Sequence, residues 1–522
     1  MSLAKILWVD DEIDLLKPHF LFLESKGYEL IAASNGYDAI EELEENPDID
    51  IIFLDESMPG MTGLETLPKL KMKNPTVPIV MITKNEAENV MEEAIGAQIS
   101  DYLIKPVNPN QILLTLKRIV EKNRLVREKT SMGYQQEFRN IFMRINSGLS
   151  FDEWVDVYKE IVSWELKIDA SNSHNMGDIL ATQKSEANAA FSKFIVKNYI
   201  DWHRGPKEDR PVMSPDLMRD MVFPNMQEGI PTIMVLLDNL RYDQWKIIEP
   251  IIAERFNVIK EETFCSILPT TTQYSRNAIF AGMMPGDIAK HHREYWKNDA
   301  DEGGKNNFED KLLENQVKRI IRRDIKLEYI KVTSVKKAKQ LVDNAHNYLD
   351  NDLTVIVYNF IDMLSHARTE MEVLKELAGD EKAYRSLTRS WFLHSPLWAT
   401  LQKVANKNLR LIIATDHGTI RVKKPSRIIG DKETTTNLRY KAGRNLRYES
   451  KDVLAVRKPA DVGLPTPNIS SSFVFAIEDF YFLYPNNYNK FNNYFRNTFQ
   501  HGGISLEEMI CPLVVLDSKM ER

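Results

Sequence analysis

Short apolar runs that stop on a polar residue recur through the first part of the chain. KILWVDD (5–11) runs into two acids, IDIIFLD (49–55) ends on Asp55, VPIVMIT (77–83) on Thr83, and DYLIKP (101–106) on Lys105 and Pro106. Between them apolar residues fall at helical spacing, as in DLLKPHFLFLESKG and GYDAIEELEEN. Continuous apolar strands alternating with amphipathic helices predict a parallel sheet covered on both faces. Ligands of such sheets bind beyond the carboxyl ends of the strands. Asp10, Asp11, Asp55, Thr83 and Lys105 all fall at such ends. Three carboxylates gathered there repel one another unless a divalent cation joins them, and an all-oxygen set suits magnesium. A Thr and a Lys beside them can hold the oxygens of a phosphoryl group carried on Asp55.

The motifs VDDE, LDESMPGMTG, MIT and YLIKP, in that order, make residues 1–122 resemble a response-regulator receiver domain with a flavodoxin-like, doubly wound parallel sheet. The resemblance implies that Asp55 accepts phosphate from a sensor histidine kinase. It also implies that Asp10, Asp11 and Asp55 hold magnesium, that Thr83 and Lys105 sense the phosphoryl group, and that Tyr102 is the aromatic switch residue. Glu56 and Ser57 stand where the family varies freely and change none of this.

From residue 123 to about 225 the pattern changes. QILLTLKRIVEKNRLVREK prolongs the last receiver helix, and FRNIFMRI, FDEWVDVYKEIVSWELKI and LATQKSEANAAFSKFIVKNYIDW repeat apolar residues at three and four. DASNSHNMGD (169–178) and HRGPKEDRPVMSPD (203–216) read as loops by composition. A helical-bundle linker is expected, relaying the receiver's state and offering a dimer face. His174 and His203 read as surface residues, since neither has a partner in sequence.

The strand-end pattern returns in 226–522. PTIMVLLDNLRYD delivers Asp238, LTVIVYNFIDMLSHA delivers Asp362 and His366, LRLIIATDHG delivers Asp416 and His417, and QHGGISLEEM brings His501 ahead of the strand ICPLVVLD. Carboxylate oxygen with imidazole nitrogen suits zinc. Six ligands are three for each of two metals, leaving a position open on each. Two such ions about 4 Å apart can clamp the attacking and leaving oxygens of a phosphoryl transfer. A Thr-rich turn before a helix, in SILPTTTQYSRNAIFAGMMPGD (266–287), is the candidate source of a nucleophile.

This ordered set resembles the alkaline phosphatase superfamily, in particular its PglZ-like branch. The resemblance implies that Asp238, Asp416, His417 and the nucleophile share one zinc, while Asp362, His366 and His501 bind the other. The superfamily often places the nucleophile ten residues before the Gly of a small-Gly pair, with Arg four residues after it. Gly282 and Arg276 then select Thr272, with Thr271 as the alternative. The resemblance assigns no extra phosphate-binding arginine, so monoester and diester substrates both stay open. The remaining histidines, His19, His291, His292, His346 and His394, read as ordinary helical or surface residues.

Charge adds one local feature. The chain carries a net charge of −7, yet residues 418–450 hold nine Lys or Arg against three Asp or Glu. Leaving the end of a metal-bearing strand, this run is expected to hang at the site mouth and draw in polyanions through Arg421, Lys423, Lys424 and Arg439. Tyr440 and Tyr448 would stack on bases. That favours a phosphodiester substrate such as a cyclic or short linear oligonucleotide.

The 522 residues, 43% hydrophobic and 27% charged, fit about three domains with real cores. The two cysteines, Cys265 and Cys511, belong to no Cys-rich motif, which argues against a structural Cys₄ site and for a reducing compartment. The acidic start MSLAKILWVDDEID predicts no signal peptide, and no apolar run approaches the ~20 residues of a membrane helix, so a cytoplasmic location is expected. Receiver, helical linker and PglZ-type domain in one chain resemble a group of response regulators associated with type IX protein secretion. That resemblance implies a sigma factor and secretion components as further partners, and a phosphorylation-dependent homodimer. The competing reading is a signalling adaptor whose phosphatase fold only binds a partner; the complete ligand set favours an enzyme.

Overall fold

The computed structural model describes residues 3–84, 99–171, 174–364, 379–431, 434–468 and 470–519. Contacts divide the chain into two units, residues 1–136 with 167–177, and residues 137–166 with 178–522.

The first unit holds a five-stranded parallel sheet built from β1 (Lys5–Val9), β2 (Glu29–Ala33), β3 (Ile51–Asp55), β4 (Ile79–Thr83) and β5 (Asp101–Ile104), in the order β2-β1-β3-β4-β5. Both faces are apolar because side chains alternate. In β1, Leu7 and Val9 enter one core, while Ile6 and Trp8 enter the other. Each such buried side chain contributes about 1.5–3 kcal/mol of transfer free energy. Helices α1 (Lys17–Ser25), α2 (Gly36–Glu45) and α3 (Gly63–Lys73) cover the sheet. α3 starts with a reciprocal cap between Thr62 and Glu65. Gly63 must be glycine for a steric reason: a Cβ there would stand 2.2 Å from the Asp55 carbonyl oxygen.

The second unit is built on a six-stranded sheet. Its strands are β6 (Thr232–Leu237), β7 (Phe256–Cys265), β8 (Leu327–Val332), β9 (Leu353–Tyr358), β10 (Arg410–Ala414) and the strand Ile510–Ser518. The order is β7, Ile510–Ser518, β10, β6, β9, β8. Strands β10, β6, β9 and β8 run parallel, whereas Ile510–Ser518 runs antiparallel to both its neighbours. Every residue of β6, β9 and β10 is buried, as expected of strands covered on both faces.

The helices Phe151–Ser171 and His174–Arg204 contribute residues 151–166 and 178–204 to this unit. Trp154 meets Phe191 edge-on at 5.6 Å, and Trp202 packs against Phe151 and Phe194. Among the described residues no helix is long and apolar enough to cross a membrane.

His203 departs from its surface reading. It lies within helix His174–Arg204 with its ring 4.8 Å from that of Tyr199, and its Nε2 is buried with no hydrogen-bond partner. Burial first, then Arg210, pushes its imidazole down to about 4. In the unfolded chain it titrates near about 6.5. As pH falls below that value the unfolded state takes up a proton that the folded state refuses until about pH 4, so stability drops across this window, by up to about 3 kcal/mol. His203→Phe, which keeps the ring packing, is expected to lose less stability than the parent between pH 7 and pH 4.5, measured by urea unfolding.

Candidate functional site

β10, β6 and β9 are neighbours, so their carboxyl ends lie side by side. Asp238 directly follows β6, Asp416 and His417 follow β10, and Asp362 lies four residues beyond β9. After Asp238, Asn239 takes a left-handed conformation (φ 65°), which Asn tolerates. This turn lets its backbone N–H donate to Asp416 Oδ1 at 3.2 Å. Gly418 then leaves the strand under a tight constraint, since a Cβ would stand 2.0 Å from the Glu507 carbonyl oxygen. The short strand Ile420–Arg421 beyond it pairs with Phe499–Gln500, which presents His501 beside His417. The two imidazole rings stack with centroids 4.4 Å apart.

Side-chain atoms of Asp238, Asp416 and His417 lie within 4.8 Å of one another, all buried. The Thr272 hydroxyl faces this group, 3.2 Å from Asp238 Oδ1 and 3.2 Å from His417 Nε2. The Thr271 hydroxyl is buried and has no hydrogen-bond partner. On the other side His501 Nε2 is 3.6 Å from Asp362 Oδ1. His366 lies outside the described residues. Both described imidazoles use Nδ1 on a backbone carbonyl, His417 on Gly418 (3.1 Å) and His501 on Thr270 (3.2 Å). With Nδ1–H donating there, each Nε2 lone pair is turned to the carboxylates, the arrangement that suits a metal-ligating histidine.

The cluster fits a cation. Burial above all, and then the nearby Asp238 charge, raises the Asp416 carboxyl well above the usual range. Asp416 Oδ2 is buried without a hydrogen-bond partner, an open ligand position on an otherwise satisfied carboxylate. Burial would raise Asp238 too, but Arg276 and then His417 hold it below the usual value. Arg276 donates to Asp238 Oδ2 at 2.7 Å and to Glu309 Oε1 at 2.6 Å, and stands 3.7 Å from Asp416 Oδ2. Glu309, fully buried, also pairs with Lys331 at 2.8 Å. Sequence reasoning used Arg276 only as a motif residue and missed Glu309. A buried Arg needs a buried acid, but nothing in sequence says which one.

In the receiver, Asp10, Asp11 and Asp55 also offer oxygens within 4.8 Å of one another. Lys105 Nζ bridges Asp10 Oδ2 (2.8 Å) and Asp55 Oδ1 (2.9 Å). Burial chiefly, aided by Asp10 and Asp11, raises the Asp55 carboxyl despite Lys105. Thr83 sits at the end of β4 as expected, and its hydroxyl donates to Glu56. Glu56, passed over in the sequence, therefore engages the expected phosphoryl sensor. Tyr102 is 39% exposed on β5.

Comparison with known proteins follows this division. Residues 217–516 match the family model of the BREX system PglZ alkaline phosphatase-like domain, 124–203 the PorX response regulator linker domain, and 6–117 the response regulator receiver domain. The transcriptional regulatory protein ResD of Bacillus subtilis is 35% identical over 120 residues, 23% of this chain and 49% of its own. ZraR of Klebsiella oxytoca is 34% identical over 120 residues, 23% of this chain and 27% of its own. The chain thus spans between a quarter and a half of these relatives. A crystal structure of the Vibrio cholerae chemotaxis protein CheY4 is 32% identical and covers 23% of this chain and 99% of its own, with a TM-score of 0.22.

The basic run after His417 is not a hanging loop. Its residues enter small sheets through the strands Ile420–Arg421, Lys424–Ile429, Tyr440–Gly443 and Arg447–Tyr448. Arg439 is fully buried, paired with Glu508 at 2.7 Å and donating to the carbonyls of Phe480 and Ile504. Tyr440 is buried and donates to Asp299 at 2.9 Å, and Tyr448 packs in a small core with Ile428 and Phe482. Arg439 and Tyr440 have no face left for substrate, which corrects the sequence expectation for those two, while Tyr448 stays partly exposed. Arg421 donates to the carbonyls of Gly379 (2.8 Å) and Asn497 (3.3 Å), and Lys424 pairs with Glu478 and Asp479, each at 3.1 Å. Lys423 and Lys424 are exposed. Periodicity could not separate these cases, because the acids that claim Arg439 and Lys424 lie 54 or more residues away. Arg439→Met strands Glu508 as an unpaired buried carboxylate and is expected to cost about 3–5 kcal/mol in urea unfolding, against under ~0.5 kcal/mol for Lys423→Ala.

Proposed function

This chain belongs to the PglZ alkaline phosphatase-like family, and from that premise we propose that it is a metal-dependent phosphoric ester hydrolase governed by phosphorylation of its receiver at Asp55. The observation that carries the reading is the Thr272 hydroxyl aimed at Asp238 and His417, with the orphaned Asp416 Oδ2 beside them. Asp238, Asp416 and His417 would hold one zinc ion, and Asp362, His366 and His501 a second. Bound there, the ions would acidify the Thr272 hydroxyl and neutralise charge on a phosphoryl group. Asp238 Oδ1 orients that hydroxyl, while Arg276 occupies Oδ2 and fixes which carboxylate oxygen faces the site. Thr272 Oγ forms a bond to phosphorus as the ester P–O bond breaks and the alcohol leaves. Water then cleaves the Oγ–P bond, returning the hydroxyl and releasing the phosphate product.

In the receiver, a histidine kinase is the phosphoryl donor, and Asp10, Asp11 and Asp55 would hold magnesium, which would offset charge on the phosphoryl group. Thr83 must let go of Glu56, and Lys105 must turn to the new phosphoryl oxygens, with Tyr102 following as the switch residue. The shifted receiver promotes a homodimer and changes hydrolysis. Exposed Lys423 and Lys424, with Arg421 nearby, favour a polyanionic ester such as a cyclic or short linear oligonucleotide. The resemblance of the sequence to response regulators associated with type IX protein secretion, beside the match to a response-regulator linker domain, favours a place in control of that secretion, in the cytoplasm, with a sigma factor and secretion components as partners.

Metal analysis of the native protein should find about two zinc ions per chain, and Asp416→Ala should lose at least one. Thr272→Val should keep its zinc yet lower kcat by at least about a thousandfold. Rates would be read on bis-p-nitrophenyl phosphate, linear dinucleotides and cyclic oligonucleotides, with and without beryllofluoride on Asp55. A native protein free of metal sinks the hydrolase reading in favour of an adaptor, and full activity of Thr272→Val removes Thr272 as nucleophile.

A further inference from the structure

One face of the helix His174–Arg204 holds both segments that carry the proposed chemistry. Lys184, Asn188 and Ser192 recur every four residues, so their side chains leave on the same side. Asn188, 5% exposed, makes a two-point clamp: Nδ2 donates to Glu507 Oε2 at 3.0 Å and Oδ1 accepts from the Leu506 N–H at 2.8 Å. One turn earlier, Lys184 Nζ stands 3.1 Å from Glu507 Oε1 and 3.1 Å from Glu165 Oε1 of the preceding helix. One turn later, Ser192 Oγ accepts from the Glu478 N–H at 3.1 Å.

Glu507 ends a stiff segment that begins at His501. Gly502 N–H donates to Thr270 Oγ1 at 3.0 Å, Gly503 N–H to Glu508 Oε1 at 2.9 Å, and Gly418 N–H to the Glu508 carbonyl at 3.2 Å. The Glu507 carbonyl fills the space that any Cβ on Gly418 would need. Moving Glu507 therefore moves both His501 and the backbone beside His417. Eleven residues past Asn188, on the same helix face, the buried Tyr199 hydroxyl accepts from the Leu268 N–H at 2.8 Å, at the start of the turn that presents Thr272. Asn188 and Tyr199 thus fix, from one rigid rod, the metal-ligand side and the nucleophile side of the site.

Resting on the hydrolase reading, we infer that Asn188 is a positioning residue: through it the helix His174–Arg204 sets His501 and the His417 backbone against Thr272, and carries the receiver's state to the site. The helix is covalently suited to this, since its first residues, through Gly177, belong to the receiver-bearing unit and the rest to the effector unit. Lys184 supports the clamp by keeping Glu507 in reach. A helix that shifts along its axis would drag the Glu507 end of the segment while the sheet holds β10 in place.

The test uses the full-length, zinc-loaded chain, with amide hydrogen exchange of residues 501–508 as a readout separate from turnover. In the parent protein, beryllofluoride should change exchange in 501–508 and leave 410–414 unchanged. Asn188→Ala should raise basal exchange in 501–508 by about tenfold or more, keep its zinc, and no longer respond to beryllofluoride in exchange or in kcat. Asn188→Ser, which keeps a small polar group there without adding charge beside Glu507, covers the case in which the alanine variant does not fold, and should also weaken the response. Lys184→Arg should retain the response that Lys184→Met loses. An exchange pattern in the parent that ignores beryllofluoride overturns the inference, as does a foldable Asn188 variant that responds like the parent. A normal exchange response in a protein that hydrolyses no phosphoester would instead overturn the hydrolase reading and leave the relay standing.

Discussion

Like charges forced together in a dry place organise this protein. Parallel strands end side by side, about 4.8 Å apart, and twice the chain places aspartates at those ends. Burial makes Asp55 and Asp416 expensive to ionise, and the neighbouring carboxylates make them more so. The receiver answers with one lysine, whose ammonium bridges Asp10 and Asp55. The larger domain answers with one arginine, held between Asp238 and Glu309 and close to Asp416. A single cation does not balance either set, so each site retains an affinity for another positive charge, and that residual affinity is the basis of its chemistry.

The difference between the two counter-charges is informative. Lys105 is a flexible point charge, 17% exposed at its side chain, and can move to a new partner. Arg276 is a planar fork with both ends engaged and no solvent access. A lysine suits a site whose charges rearrange, and an arginine suits one whose geometry stays fixed. Glu309 and Lys331 extend the arginine's framework back toward the sheet edge, so the fixed geometry of Asp238 depends on residues outside any recognisable motif.

Much of this was legible in the sequence because strand ends are legible. An apolar run that stops at Asp238 or Asp416 announces where the chain leaves the sheet and what it presents there, and Thr272, which only the alkaline phosphatase resemblance singles out, faces Asp238 and His417. What the sequence hid were roles set by distant partners. Arg439 and Lys424 stand in the same basic run, yet one lies in the interior against Glu508 and the other lies at the surface. His203 reads as a surface residue for want of a partner in sequence, whereas helix His174–Arg204 includes it and its Nε2 is buried. Asn188 carries no signal at all: a lone Asn among helix formers becomes a clamp only when Leu506 folds against it.

The strand Ile510–Ser518 lies inside the six-stranded sheet, antiparallel between β7 and β10, and is buried along most of its length. A ribosome delivers that strand after β6 to β10 have all emerged. Until residues 510–518 are released, β7 and β10 have no neighbour to join them and the segment bearing His501 has no anchor behind it. The cluster of Asp238, Asp416, His417 and His501 therefore cannot close before that strand emerges, while the five-stranded sheet, whose last strand ends at Ile104, can fold hundreds of residues earlier. The first unit's sheet would stand complete before the second unit's, and any protein fragment cut short of this strand would lose an interior strand of its sheet rather than an edge.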